Sequence, residues 1–249
     1  MKAMIFAAGL GTRLRPLTDT MPKALVPLNG HSLLEYQLLQ LRRVGIEDVV
    51  INVHHFPDMI IDYLQAHDGF GCRISISDER QQLLNTGGGL HKALPLLKDE
   101  SVLALNVDIL SNIDIAALIS AYHKTQQGLL VVSERRTQRY LCFDEQNMLC
   151  GWTNINTGEV RGRDGRHLAF SGMQILPPSL YRSLDDYARS LPHDEDRESE
   201  FSLIDYYLHI AHQGVLQAYI PTDYRMMDVG KYDLLSEAEA FARGFALDE

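Results

Sequence analysis

Ala3-Met4-Ile5-Phe6-Ala7-Ala8-Gly9-Leu10-Gly11-Thr12-Arg13-Leu14-Arg15-Pro16 is an apolar run that stops at a Gly-x-Gly loop and passes into two arginines and a proline. With Met1-Lys2 ahead of it the run imitates a secretory leader, but its early stop at Gly9 and the cations beyond make it a buried strand. Ligands of a parallel sheet bind beyond the carboxyl ends of its strands. Glycines there let the backbone approach an anion, and successive N–H groups form a nest for it. Ala8, Gly9, Gly11 and Thr12 are therefore expected to cradle phosphate, with Arg13 gripping it bidentately and Lys23 adding a point charge. Two better-known phosphate loops do not fit. A dinucleotide fingerprint needs glycine at position 14, which is Leu14, and the Gly-Lys-Ser/Thr ending of a Walker A loop is missing.

Outward from this loop the chain alternates between two periods. Residues 3–7, 49–53, 73–77, 102–105 and 129–132 are short β-rich apolar runs, as buried parallel strands require. Residues 32–44, 59–66, 90–97 and 115–125 have helical period between them, the first opening on the capping box Ser32-x-x-Glu35 and stopping at Gly45. The alternation predicts an α/β fold, a Rossmann-like, mostly parallel mixed sheet with helices on both faces. After about residue 138 the pattern changes. Residues 140–144 and 148–152 read as a hairpin, 157–166 as a polar stretch and 167–176 as a strand closed by Pro177-Pro178. Residues 189–200 read as a charged solvated loop, 202–212 as a helix, 217–220 as a strand and 232–242 as a final helix. No linker or repeat interrupts the chain. One domain over 1–249 is expected, with 1–135 holding a nucleotide and 136–249 binding the second substrate and closing the site.

Hydrophobic residues make up 45% of the chain and charged ones 22%, enough apolar material for a buried core. The net charge of −10 argues against nonspecific nucleic-acid or anionic-membrane partners, both of which need a basic surface. No segment has the roughly 20 apolar residues of a membrane span. Cys72, Cys142 and Cys150 are odd in number, widely spaced and free of a CxxC pair, which argues against a disulfide framework or a zinc site and for a cytoplasmic location. His54-His55 has no further ligands at useful spacing and reads as a polar loop.

The stretch from Ala7 to Thr18, followed by Pro22-Lys23-Ala24-Leu25-Val26-Pro27, resembles the signature of sugar-1-phosphate nucleotidyltransferases, and the resemblance extends over essentially the whole chain. It implies a glycosyltransferase-A-like nucleotidyltransferase fold. It also implies that the glycine loop and Arg13 hold a triphosphate and that Lys23 lies near its α-phosphate. Asp108 and Asp228 each follow an apolar run; two carboxylates plus substrate phosphates make a good Mg²⁺ site, and the resemblance assigns both that role. Family members usually have Gly before the first aspartate, where this chain has Val107, and Trp before the second, where it has Met227.

Glu79 and the turn Asn85-Thr86-Gly87-Gly88-Gly89, with Thr86 and Gly87 foremost, are implied to read the nucleobase. Asn106 and Gly172 of Phe170-Ser171-Gly172-Met173 are implied to line the substrate pocket. The glycine-rich turn is most similar to that of small uridylyltransferases acting on N-acetylmuramate 1-phosphate, and the Gln-Pro motif of thymidylyltransferases is absent. The expected reaction joins a nucleoside monophosphate from an NTP, UTP by preference, to a sugar 1-phosphate and releases pyrophosphate. Arg13, Lys23, Asp108 and Asp228 would act as its catalytic residues. Guanylyl transfer to mannose or heptose 1-phosphate, and a non-catalytic regulator that binds nucleotide sugars on the same fold, are the alternatives. The Glu-Lys-Pro element that grips the sugar phosphate in larger members is not visible, and Arg161, Arg163 and Arg166 read as a solvated basic loop. A monomer or small homo-oligomer is expected.

Overall fold

The computed structural model describes residues 1–192 and 198–244. In chain order its elements are β1 (Lys2–Phe6), β2 (Pro27–Leu28), β3 (His31–Ser32), α1 (Leu33–Arg43), β4 (Asp48–Val53), α2 (Pro57–Ala66), β5 (Arg73–Asp78) and α3 (Asn85–Leu97). There follow β6 (Val102–Asn106), β7 (Ile109–Ser111), α4 (Ile115–Thr125), β8 (Gly128–Ser133), β9 (Arg139–Phe143), β10 (Leu149–Asn154), β11 (Glu159–Gly162) and β12 (Arg166–Leu176). The chain ends in α5 (Tyr181–Ser190), α6 (Leu203–Ile210), β13 (Leu216–Tyr219), β14 (Met226–Asp228) and α7 (Leu235–Ala242).

β5, β4, β1 and β6 lie side by side and parallel. β12 then runs antiparallel to β6, β8 antiparallel to β12, and β13 parallel to β8. The first half of β12 also pairs with β9, which carries β10 and β11 outward as an antiparallel extension. The sheet is mixed, as the sequence predicts, with a parallel run of four strands at one side and antiparallel pairings through β12 and beyond. β1 sits between β4 and β6, where the strand order reverses, so the loop after Phe6 opens into the crevice that such a reversal leaves.

Alternation along β1 explains why the sheet needs helices on both faces. Ala3 and Ile5 point into a core with Leu34, Leu38 and Leu41 of α1, Ile60 and Leu64 of α2, Leu118 of α4 and Ala238 of α7. Met4 and Phe6 point the other way, toward Leu90, Ala93 and Leu97 of α3, Leu184 of α5 and Tyr206 and Tyr207 of α6. Each fully buried Leu or Ile contributes about 1.5–3 kcal/mol relative to exposure. The predicted capping box of α1 is present: Glu35 N–H donates to Ser32 Oγ at 3.0 Å, and Ser32 N–H to Glu35 Oε2 at 3.4 Å.

Several boundaries differ from expectation. α3 begins at Asn85, so the three glycines are the first turns of the helix rather than a lead-in. The polar stretch 157–166 contains β11, which pairs with β10. The last predicted helix is a 3-10 turn over Tyr232–Leu234 followed by α7. The short ladder of β7 and β14 has no sequence signal, because three-residue strands show no period. Of the charged loop expected at 189–200, α5 takes the first residues, and 193–197 lie outside the described residues. Among the described residues, no helix is long and apolar enough to cross a membrane.

Candidate active site

A cavity of about 430 Å³ opens beyond the carboxyl ends of β1 and β6, lined by Ala7 to Arg13, Lys23, Asn52, Leu83, Asn85, Thr86, Asn106 to Asp108, Glu200 and Gly230. Its floor is the loop after β1. Ala7 N–H donates to Asn52 Oδ1 at 2.7 Å, which fixes where the loop departs. Gly11 turns it back in a left-handed conformation (φ 64°), and Thr18 Oγ1 donates to its carbonyl at 2.8 Å. A Cβ on Gly11 would lie 2.8 Å from the Thr18 methyl, whereas one on Gly9 would meet nothing within 4 Å. Gly11 is thus required by the turn, while Gly9 keeps the space above the loop open. The N–H groups of Ala8, Gly9, Leu10 and Gly11 donate to no group among the described residues. That row of unpaired donors leaves the loop open to an acceptor such as an anion.

Arg13, Lys23 and Asp108 line this cavity, whereas Asp228 is exposed and stands outside its lining, beside Gly230 and Arg13. Lys23 is buried and paired directly with Asp108. Asp108 is held from three sides: Val107 N–H bonds the Phe6 carbonyl at 3.2 Å, Gln37 Nε2 bonds the Val107 and Ile109 carbonyls at 3.3 and 2.8 Å, and Val229 N–H bonds the Asp108 carbonyl at 2.8 Å. The last bond extends by one pair the β7–β14 ladder, in which Asp228 stands opposite Ile109. The unforeseen ladder is therefore what brings the two aspartates to one edge. Gly230 finishes the corner, since a Cβ there would run into both the Asp228 carboxylate and the Arg13 guanidinium. Arg13 enters no ion pair among the described residues, whereas Arg15 turns away to Asp19 at 3.1 Å. Gly172 (φ 70°) lies against the Asn106 side chain: a Cβ would come within 2.7 Å of Nδ2, so the glycine lets Asn106 face the cavity.

Thr86 lines the cavity, but Glu79 and Gly87 do not. Glu79 is 1% exposed; Asn52 Nδ2 donates to its Oε1 at 2.7 Å and Leu84 N–H to its Oε2 at 3.1 Å. Burial pushes its carboxyl above the ordinary glutamate range, against these two bonds. Gly87 N–H and Gly88 N–H both donate to the Phe201 carbonyl, at 2.8 and 3.2 Å, and the Phe201 ring fills the place a Gly87 side chain would take. The geometry gives both residues an internal bracing role in place of direct contact with a base. Glu79 and Asn52 link the phosphate loop to α3, and Gly87 lets the 199–201 segment clasp the start of that helix. His54 and His55 are polar loop residues, their ring nitrogens 2.7 and 3.0 Å from the carbonyls of Glu79 and Thr18.

Beyond the clasp lies a second cavity of about 370 Å³, whose walls include Arg135, Arg139, Tyr140, Trp152, Arg161 and Phe170. Its boundary with the first is narrow. Leu203 N–H donates to Thr86 Oγ1 at 3.0 Å, with Glu200 on one side and Ser202 and Ile204 on the other. Arg161 pairs with Asp205 at 2.7 Å and Arg135 donates to the Phe170 carbonyl at 2.9 Å, while Arg139 has no partner among the described residues. Arg163 and Arg166 point elsewhere, toward Asp144 and Glu134. Sequence reasoning missed Arg135, Arg139, Tyr140 and Trp152. The signal was available in Arg135-Arg136-Thr137-Gln138-Arg139-Tyr140, a basic, aromatic-ended cluster in an acidic chain.

Asp108 in the first cavity and Asp228 at its rim, beside Gly230, are hard oxygen donors of the kind that Mg²⁺ takes beside phosphate oxygens. Lys23, on Asp108, would then share that carboxylate with the metal.

Residues 2–140 match the family model for nucleotidyl transferases. The chain is 48% identical over 187 residues to N-acetylmuramate alpha-1-phosphate uridylyltransferase of Caulobacter vibrioides, covering 72% of this chain and 76% of that one. It is 43% identical over 188 residues to the protein of the same name from Neisseria meningitidis, covering 74% and 79%. Among solved structures, UDP-glucose pyrophosphorylase from Acinetobacter baumanii superposes with a TM-score of 0.78 at 18% identity, covering 97% of this chain and 92% of that one, a likeness of fold.

Proposed function

The chain belongs to the nucleotidyl transferase family, and we propose that it transfers uridylyl from UTP to N-acetylmuramate 1-phosphate, or a closely related acidic sugar 1-phosphate, releasing pyrophosphate. The observation that carries this reading is the pair of adjoining cavities: one floored by free backbone amides and closed by Arg13, Lys23 and Asp108, the other walled by three arginines and Trp152. The first suits a triphosphate. The second suits a sugar ring stacked on an aromatic face with an acidic substituent within reach of Arg139 and Arg161, because guanidinium groups grip carboxylates bidentately. N-acetylmuramate differs from N-acetylglucosamine by such a substituent, and the relatives from Caulobacter and Neisseria are named for that sugar.

The chemistry needs no covalent intermediate, because the sugar phosphate is already an anion. Its oxygen forms a bond to the α-phosphorus of UTP as the bond to the β-phosphate oxygen breaks in line, and pyrophosphate departs with the electron pair. The protein contributes placement and charge. The amides of Ala8, Gly9, Leu10 and Gly11 receive the β- and γ-phosphates, and Arg13 neutralises the charge that grows there as pyrophosphate leaves. Lys23, held in place by Asp108 beforehand, turns its charge to the α-phosphate. Asn106, exposed to the cavity by Gly172, orients the incoming phosphate. When bound at Asp108 and Asp228, Mg²⁺ supplies further neutralisation of the reacting phosphates.

A matrix of UTP, GTP and dTTP against N-acetylmuramate, N-acetylglucosamine and mannose 1-phosphates, with pyrophosphate as readout, tests this. Turnover confined to UTP with the muramate phosphate is the expected outcome. Efficient use of GTP with mannose 1-phosphate would replace the reading by guanylyl transfer, and no turnover in any cell of the matrix would favour a non-catalytic binder.

A further inference from the structure

β9 and β12 pair so that Cys142 lies directly opposite His167, which puts both side chains on one face of the sheet. Asp164, in the turn that enters β12, reaches both. Its Oδ1 is 2.6 Å from His167 Nε2 and 3.9 Å from Cys142 Sγ, and the three ligand atoms lie within 4.8 Å of one another. Gly165 allows the turn to cross here, since a Cβ would run into the Phe143 carbonyl and come within 3.2 Å of Cys150 Sγ. The second thiol borders the same group, with Cys150 Sγ 3.7 Å from the Asp164 carbonyl. None of these four residues lines either substrate cavity.

We propose that Cys142, Asp164 and His167 form a site for one borderline-soft divalent cation, Zn²⁺ foremost, that pins the 162–166 segment to β9 and β12. A sulfur, an imidazole nitrogen and a carboxylate oxygen are zinc's donors, whereas Mg²⁺ takes oxygen alone. Donors around a tetrahedral ion with bonds of about 2.0–2.3 Å stand about 3.3–3.8 Å apart. The Cys142–Asp164 spacing is slightly wider than this and the His167–Asp164 contact narrower, and rotation of the exposed Asp164 side chain adjusts both. Binding exchanges the Cys142 thiol proton, released to solvent, for the cation. Water completes the coordination. The separation of Cys142 from His167 in the sequence hides the site from any spacing rule, since strand register alone brings them together.

Titration of the full chain with Co²⁺ in excess Mg²⁺, followed by absorption, tests the site. The expected result is one Co²⁺ per chain with a near-ultraviolet thiolate-to-cobalt band that Zn²⁺ abolishes. His167→Gln and Asp164→Asn, at exposed groups that the fold tolerates, should each weaken binding at least about tenfold, the loss that even outer-shell changes cause. Cys142→Ser should remove the band, and Asp108→Asn should leave it unchanged. Absence of a thiolate band, or a band that survives both His167→Gln and Asp164→Asn at full affinity, overturns the proposal.

Discussion

The two cavities proposed for the substrates are neighbours made of different material. The first is drawn by backbone: unpaired amides at 8–11, a left-handed turn at Gly11, and glycines at 172 and 230 where a side chain would collide. The arginine side is drawn by long side chains from β9, β10, β11, β12 and α6, whose positions depend on strand pairing. A backbone-built cradle is rigid and tolerates little substitution, so its chemistry is tied to phosphate, the part common to every nucleoside triphosphate. A cavity built from side chains can be re-cut without disturbing the fold, which is where a choice among sugars belongs. Substitutions on the two sides should therefore fail differently.

The largest effect is expected where the first cavity holds its charges. Asp108→Asn should lower kcat for pyrophosphate release on the order of 10³-fold, the scale of losing a preorganised charge in a phosphoryl-transfer site, with an unchanged circular dichroism spectrum. Turnover close to that of the parent would show that Asp108 only steadies Lys23. Next comes the clasp. Gly87→Ala forces a methyl into the Phe201 ring and carbonyl and should cost about 3 kcal/mol, the upper end of overpacking, in denaturant unfolding. A neutral Gly87→Ala would mean that the 199–201 segment moves freely off α3.

On the arginine side the fold should not notice. Arg139→Ala should raise KM for an acidic sugar 1-phosphate by roughly 10–100-fold, the value of one charge-assisted contact, while KM for UTP and the unfolding midpoint stay put. A change in KM for UTP instead would erase the distinction between the two cavities. The smallest effect concerns the brace that ties the loop after β1 to α3. Glu79 has its carboxyl raised by burial, so the folded protein holds that proton more tightly than the unfolded chain. Its contribution is complete below the ordinary glutamate range and is lost as pH rises through the raised value, with a slope of at most about 1.4 kcal/mol per pH unit. Glu79→Gln should remove that slope from stability measured against pH; an identical slope in both proteins would assign it to other groups.

The same contrast governs what was legible in the sequence. Ala7 to Arg13 could be read because a phosphate nest needs glycines at fixed offsets after a strand, and the strand's own alternation is what sends Ile5 and Met4 to opposite cores. Asp108 and Asp228 could be named, but their meeting could not be derived, because it depends on two three-residue strands too short to carry a period. The family resemblance implied that Glu79 reads the base. Only packing shows that Asn52 and Leu84 have already taken both of its oxygens. Arg139, Trp152 and Arg161 were visible as residues and invisible as a site, since antiparallel register, not spacing, gathers them.

The most direct test of the account compares two substrates that differ by one substituent. kcat/KM for UTP-dependent pyrophosphate release should be measured with N-acetylmuramate 1-phosphate and with N-acetylglucosamine 1-phosphate, in the parent and in Arg139→Ala. The account predicts a preference for the muramate phosphate of at least about 10²-fold, the worth of a recognised charge against its absence, and its collapse in the variant. Equal use of the two sugars by the parent protein would contradict it.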